Sequence, residues 1–423
     1  MKSILKQIRN EWRSNLFLFV ELLLVFTVLW YIVDLAIVTT RVYTAPMGYN
    51  VDHCYNIAVS KLTPKAAAFN PELTTDDDME DLLEITERLR HRPGIEAAAL
   101  SQNSFPYNGG SNSMVIGVDT TMLGARLYWV EPDFFRLFRF SAADGGAPDK
   151  MAEAIRNNQI VITSNLTDDY PELGLKDATS LLGREVPLRR PDSDVRRRIG
   201  AIGSPVRWSH FYTPHEWGGA YIALSLDIDL IKQNFSDPRY LTLSVRVTPE
   251  EDHDFINRLF DDADRLYQVG NLYLLSVTPV SEFRRIEEME DMNELKTQLC
   301  VLGFLLMNIF LGVVGTFWFR TQHRRREVAL RMAMGSSQKA VFFRLMTEGL
   351  LLLTLATLPA ALIAFNVGIA ELVDVNKMPF DTVRFLFGIF LTWLLMALMI
   401  IAGIWYPAHK AMKVKPAEAL HDE

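Results

Sequence analysis

Cysteine is nearly absent: 423 residues contain two, Cys54 and Cys300. That excludes a disulfide-stapled secreted scaffold, and two unpaired thiols are expected. Nucleotide-binding chemistry is missing too. The dipeptide Gly-Lys occurs nowhere, so no GxxxxGK[ST] loop can cradle phosphate with its backbone N–H groups and lysine. Neither an H-E-x-x-H helix for zinc nor a G-x-S-x-G nucleophile elbow is present. His210 and His215 stand five apart in a stretch with proline and tryptophan, and a solvated loop is expected there rather than a metal site. The sequence therefore predicts no catalytic residue, no metal and no cofactor. A formal net charge of −8 argues against nucleic acid as a partner.

Apolar sequence is what the chain has in quantity, and it is clumped. Residues 16–38, 298–319, 348–369 and 385–406 are almost uncharged. Each has about the ~20 residues that a helix needs to cross a ~30 Å hydrocarbon core. The first outruns a signal-peptide core of about 7–15 residues and is expected to remain as an anchor. Charge orients the chain. Segments 1–15, 320–347 and 407–423 carry four, seven and three Lys/Arg, whereas 39–297 carries 27 against 40 Asp/Glu. Short basic segments stay in the cytoplasm, so both termini are expected inside and residues 39–297 outside.

The expected organisation is a four-helix membrane protein with a large α+β extracytoplasmic domain inserted between helices 1 and 2. In detail it comprises an N-terminal amphipathic segment (1–15), the first crossing (16–38), the outer domain (39–280) and a stalk helix (281–297). A crossing (298–319), a cytoplasmic helix-turn (320–347) and a third crossing (348–369) follow. A short outer loop (370–384), a fourth crossing (385–406) and a cytoplasmic tail (407–423) complete it. Within the outer domain, Met79, Leu82, Leu83, Thr86 and Leu89 recur at helical spacing over Asp76–Arg90, with Thr74 or Thr75 as N-cap and Pro93–Gly94 as the stop. Strands are expected at Ile95–Leu100, Met114–Val118, Leu127–Val130, Gln159–Thr163, Ile199–Ile202 and Leu241–Val247, the last as a half-buried strand of period two. A further helix is expected over Glu250–Leu266. Phe283, Ile286, Met289, Met292 and Leu295 form one stripe over Ser281–Leu299, which predicts a stalk running continuously into the membrane, packed on a partner or on its own domain.

Intramembrane charge costs about 2.5–3.5 kcal/mol at helix centre, so each instance marks a polar role. Glu21 can snorkel, stay protonated or pair with a neighbouring helix. Asp34, near the outer end, is expected to reach water. Glu348 opens the third crossing, and Pro359 is expected to bend it. In the 320–349 loop, Glu327–Met334 reads as a short helix, Gly335 suits a left-handed C-terminal cap, and Ser336 or Ser337 can start the next helix. On residue chemistry alone such a basic segment serves either as a topology and lipid anchor or as a partner site.

The run Glu327-Val328-Ala329-Leu330-Arg331-Met332-Ala333-Met334-Gly335 resembles the E-[IV]-x-L-R-x-A-x-G signature of MacB/FtsX-type ABC transporter permeases, and Glu348 also matches. Tyr406-Pro407-Ala408, Ala411 and Pro416-Ala417-Glu418-Ala419-Leu420 resemble that superfamily's C-terminal ending. Arg92-Pro93-Gly94-Ile95, Val130-Glu131-Pro132-Asp133-Phe134-Phe135 and Leu182-Gly183-Arg184 are similar to weaker landmarks. The resemblance spans the chain, though MacB itself carries a fused ATPase that is missing here. It implies a non-catalytic permease subunit of the cell inner membrane, with ATP hydrolysis supplied in trans by ABC ATPase subunits. It implies ATPase-coupling roles for Glu327, Leu330, Arg331 and Gly335, and a second permease subunit in a homodimer or heterodimer. A periplasmic adaptor or a lipoprotein is a further partner, beside membrane lipid. Competing functions are a lipoprotein-releasing permease and, from a different class, a membrane sensor with an outer ligand-binding domain.

Overall fold

The computed structural model describes residues 12–189, 194–216, 218–226, 237–323, 330, 332 and 334–412. Along the chain come α1 (Trp12–Thr44), β1 (Cys54–Lys61), α2 (Thr75–Arg90), β2 (Ile95–Gln102), β3 (Asn112–Val118) and β4 (Thr121–Val130). Next are α3 (Asp149–Arg156), β5 (Ile160–Thr163), β6 (Glu185–Pro187), β7 (Arg196–Gly203), β8 (Tyr221–Ser225) and β9 (Thr242–Val247). The remainder is α4 (Phe255–Asp261), β10 (Leu272–Pro279), α5 (Val280–Glu287), α6 (Met289–His323), α7 (Gln338–Ile369) and α8 (Thr382–Met412). Contacts divide the chain into two units, Thr44–Asp291 and the remainder.

The inserted unit is built on a mixed sheet of order β10-β1-β9-β2-β4-β8-β5-β7-β6, with β3 on β4. The β4–β8 and β5–β7 pairs are parallel and the other pairs antiparallel. This is an α+β domain, as the mixed sequence pattern predicts. Helix α2 is set by its sequence: Thr74 caps it, and Asp77 returns the bond to the Thr74 N–H in a capping box. Its apolar face, Met79, Leu82, Ile85 and Leu89, closes over Leu243, Val245 and Val247. On the other side of the strands, Phe134, Phe135, Phe138, Phe140, Tyr128 and Tyr221 form an aromatic core, where edge-to-face pairs add to the burial itself.

Three expectations need correction here. Strand β9 is buried on both faces, because it lies inside the sheet: between its apolar residues, Ser244 donates to Asn56 Oδ1 at 2.7 Å and Arg246 donates to the carbonyls of Leu137, Asp52 and Asn50. No single helix covers 250–266. A turn of helix at Pro249–Asp252 stops at extended His253, Asp254 is left-handed at φ 63°, and α4 is followed by a wide turn over Ala263–Tyr267. The segment leading to the second membrane helix is also interrupted: α5 ends at Glu287, Glu288 leaves helical geometry, and α6 begins at Met289.

The second unit holds four helices long and apolar enough to span a bilayer: α1 from Leu16 to Thr44, α6, α7, and α8 from Thr382 to Trp405. Leu22, Phe26, Leu29 and Trp30 of α1 pack with Leu353, Ala356, Ala360 and Ala364 of α7 and Met396, Ile400 and Ile404 of α8. The alanine row on α7 lets backbones approach, which is how membrane helices gain packing energy when lipid is as apolar as their side chains. Helix α6 is different. Its buried residues are Val313, Phe317 and Thr321, all in its second half.

Candidate functional site: the α6–α7 turn, the membrane charges and the base of the inserted domain

The turn between α6 and α7 is placed by three sequence devices. The Met334 N–H donates to the Leu330 carbonyl and the Gly335 N–H to that of Met332, closing a last helical turn. Gly335 is left-handed at φ 94°, a conformation that costs a residue with a Cβ. Ser337 then caps α7, its hydroxyl accepting from Ala340 N–H at 3.3 Å. Met332 packs on Val341, whereas Leu330 is 49% and Met334 71% exposed. Two apolar side chains, Leu330 and Met334, are thus exposed at this turn. Glu327 and Arg331 lie outside the described residues, as do the C-terminal residues from 413 onward that complete the second signature.

Each intramembrane acid is near a partner on another helix. Asp34 does not reach water. It is 2% exposed and held by Arg384 of α8 through Nε–Oδ1 at 2.9 Å and Nη2–Oδ2 at 2.7 Å. Arg384 also donates to the carbonyls of Asp374 and Met378, which locks the loop before α8 onto α1. The desolvation cost of such a pair is recovered only when further hydrogen bonds occupy the remaining donors, and here Nη1 bonds two carbonyls. Glu348, 5% exposed, accepts from Arg320 Nη2 of α6 at 2.8 Å. Glu21 accepts from Thr316 of α6 at 2.8 Å, and its second oxygen is buried with no hydrogen-bond partner. Sequence reasoning missed Arg384 and Arg320. A basic residue near a helix end also reads as a topology determinant, and no local spacing links it to its acid.

At the base of the inserted domain, the loop from Pro205 to Gly219 binds both of that domain's connecting segments. Arg207, 2% exposed, donates from Nη1 to Ala45 O at 2.5 Å, and its backbone N–H donates to Met47 O at 3.1 Å. On the other side Trp208 Nε1 donates to Glu287 at 2.8 Å and the His210 N–H to Glu288 at 2.8 Å, with the His210 ring Nδ1 2.7 Å from that same oxygen. His210 is therefore no solvated loop residue. Burial pushes the Glu288 carboxyl up, but the bonds from His210 and Arg284 outweigh it and hold the group below the usual glutamate range. His215 stays exposed beside Asp168.

Among the described residues no cluster of three His, Cys, Asp or Glu could hold a metal. Both cysteines are free; burial pushes the Cys54 thiol up to about 12. The family landmarks of the inserted domain are structural. Gly94 and Gly183 are left-handed, Glu131 accepts from Leu100 N–H and Arg90, and Phe134 and Phe135 are fully buried.

In chain order, four helices long and apolar enough to cross a membrane flank an inserted α+β domain. Residues 299–416 match the FtsX-like permease C-terminal family. Permeases of this family are transporter subunits that work with ABC ATPase partners. Solved structures with some likeness include a domain of a protein described as a permease from Porphyromonas gingivalis, at 16% identity and TM-score 0.31, over 56% of this chain and 98% of that one. The periplasmic region of MacB from Actinobacillus actinomycetemcomitans matches at 10% identity and TM-score 0.31, over 58% and 98%. The extracellular domain of the noncanonic ABC-type transporter YknZ from Gram-positive bacteria matches at 12% and 0.28, over 52% and 100%. No curated protein matches the chain.

Proposed function

We propose that this chain transmits the motion of a separate ABC ATPase to its inserted domain, which lies outside the cell membrane while the basic segments 1–15, 320–347 and 407–423 lie in the cytoplasm. The observation that supports this reading is the turn closed by Gly335 and the Ser337 cap, which lies inside the FtsX-like segment and leaves Leu330 and Met334 exposed. A short helix held by a left-handed glycine and a capped successor transfers a push, whereas a flexible loop would absorb it. In this reading Glu327, Leu330, Arg331 and Gly335 meet the ATPase, and two permease chains work with two ATPases. Closure of the ATPases moves α6, and through it the inserted domain, in efflux or export across the envelope.

The test is to reconstitute the full chain with a candidate ABC ATPase in lipid discs and measure complex formation and ATP hydrolysis. Arg331→Glu and Leu330→Glu are expected to release the ATPase and abolish the permease-dependent change in its rate. Wild-type assembly and rate in both variants would overturn the proposal.

A further inference from the structure

Within the membrane unit an apolar groove of about 480 Å³ runs along α1 from Leu29 to Arg41, walled by Phe387, Leu391 and Leu395 of α8 and reached on its far side by Leu306 of α6. It exists because the first half of α6 buries nothing against the bundle, so α1 and α8 face a gap that only the one α6 leucine touches. Its length is informative. From Leu29 to Thr40 the helix rises about 17 Å, close to the roughly 15 Å of hydrocarbon in one leaflet. Ala36 at mid-groove leaves the width open. At the mouth stands Arg41, in the last turn of α1, exposed and without an ion-pair partner among the described residues. A membrane helix that ends there puts this guanidinium at headgroup level, where its fork of donors matches phosphate oxygens.

We propose that this groove binds one glycerophospholipid, an acyl chain lying between Leu29 and Ile37 and the phosphate on Arg41. The lipid fills the space that α6 leaves beside α1 and α8. The inference does not depend on the ATPase-coupling reading.

The full-length chain, purified in mild detergent, is titrated with palmitoyl-oleoyl phosphatidylglycerol and separately with the uncharged diacylglycerol of the same chains. Bound lipid and oligomeric state are counted by native mass spectrometry. One phosphatidylglycerol per chain is expected. Arg41→Gln, an exposed substitution that leaves the helix intact, should weaken phosphatidylglycerol about fivefold, the effect of one basic residue near an anionic surface, and leave diacylglycerol unchanged. Ala36→Phe, which fills the groove, should weaken both. Wild-type lipid retention by both variants would overturn the proposal. So would an Ala36→Phe chain that keeps its lipid but loses self-association, since the groove would then belong to a second copy.

Discussion

Asp34 and Arg384, 350 residues apart in sequence, form a two-pronged ion pair that is buried on both sides. It ties the C-terminal half of α1 to the start of α8, and the same guanidinium holds the carbonyls of Asp374 and Met378.

Removing one member of this pair leaves an uncompensated charge in an apolar surrounding. Asp34→Leu should cost about 3–5 kcal/mol, measured as the shift of the unfolding midpoint in detergent. Arg384→Met should cost at least as much, since two carbonyls also lose their donor. The double variant should recover part of the loss. An Asp34→Leu chain as stable as the wild type would contradict the assignment.

The acid sensitivity of the inserted domain should pass through Glu288. Its folded carboxyl sits below the ordinary value, so its contribution is complete above that ordinary value, about 4.3, and fades as pH falls through the lowered folded one. Unfolding midpoints followed from neutral pH down to about 3 should therefore drop more steeply in the wild type than in Glu288→Gln. Parallel curves would refute this.

The tight contacts of α6 with the bundle lie at glycines on its neighbours. A Cβ on Gly403 would stand 3.0 Å from Val314 Cα, and one on Gly349 would stand 3.1 Å from Phe317 Cε1. Gly403→Val should destabilise the membrane unit by about 1–3 kcal/mol, read as a lowered melting midpoint in detergent. Gly312→Val on α6 itself meets nothing within 4 Å and is the matched control.

Gly335 discriminates backbone from side chain at the α6–α7 turn. Nothing lies within 4 Å of a Cβ built there, so only its φ of 94° resists substitution. Gly335→Asn should retain ATPase coupling, because asparagine tolerates the left-handed region. Gly335→Val should lose several-fold, in line with about 1–2 kcal/mol of backbone strain. Equal rates in the reconstituted complex would show that the turn is not a rigid element.

Local devices were legible in the sequence and distant pairings were not. Hydropathy located the four spanning helices, and Thr74 with Asp77 announced the start of α2 because a capping box is complete within four residues. Gly335 and Ser337 marked the α6–α7 turn for the same reason. The helix expected over 250–266 failed where Asp254 turns left-handed, a state to which periodicity is blind. The expected continuity of the stalk is broken at Glu288 alone, whose bonds reach a loop 78 residues away. Asp34 was expected in water because its partner lies on the last membrane helix, and β9 looked half-buried because Arg246 reads as polar until its three carbonyl acceptors are known.

The Pro205–Gly219 loop has a mechanical consequence. Arg207 grips the segment that leads into the domain at Ala45, and three residues later His210 grips the acid at which the domain's last helix ends. The two leads are thereby spliced, so a tug on one is shared by the other before it reaches any strand of the sheet. A nick between Arg207 and Trp208 would cut the covalent link between the two grips while leaving every strand pairing untouched.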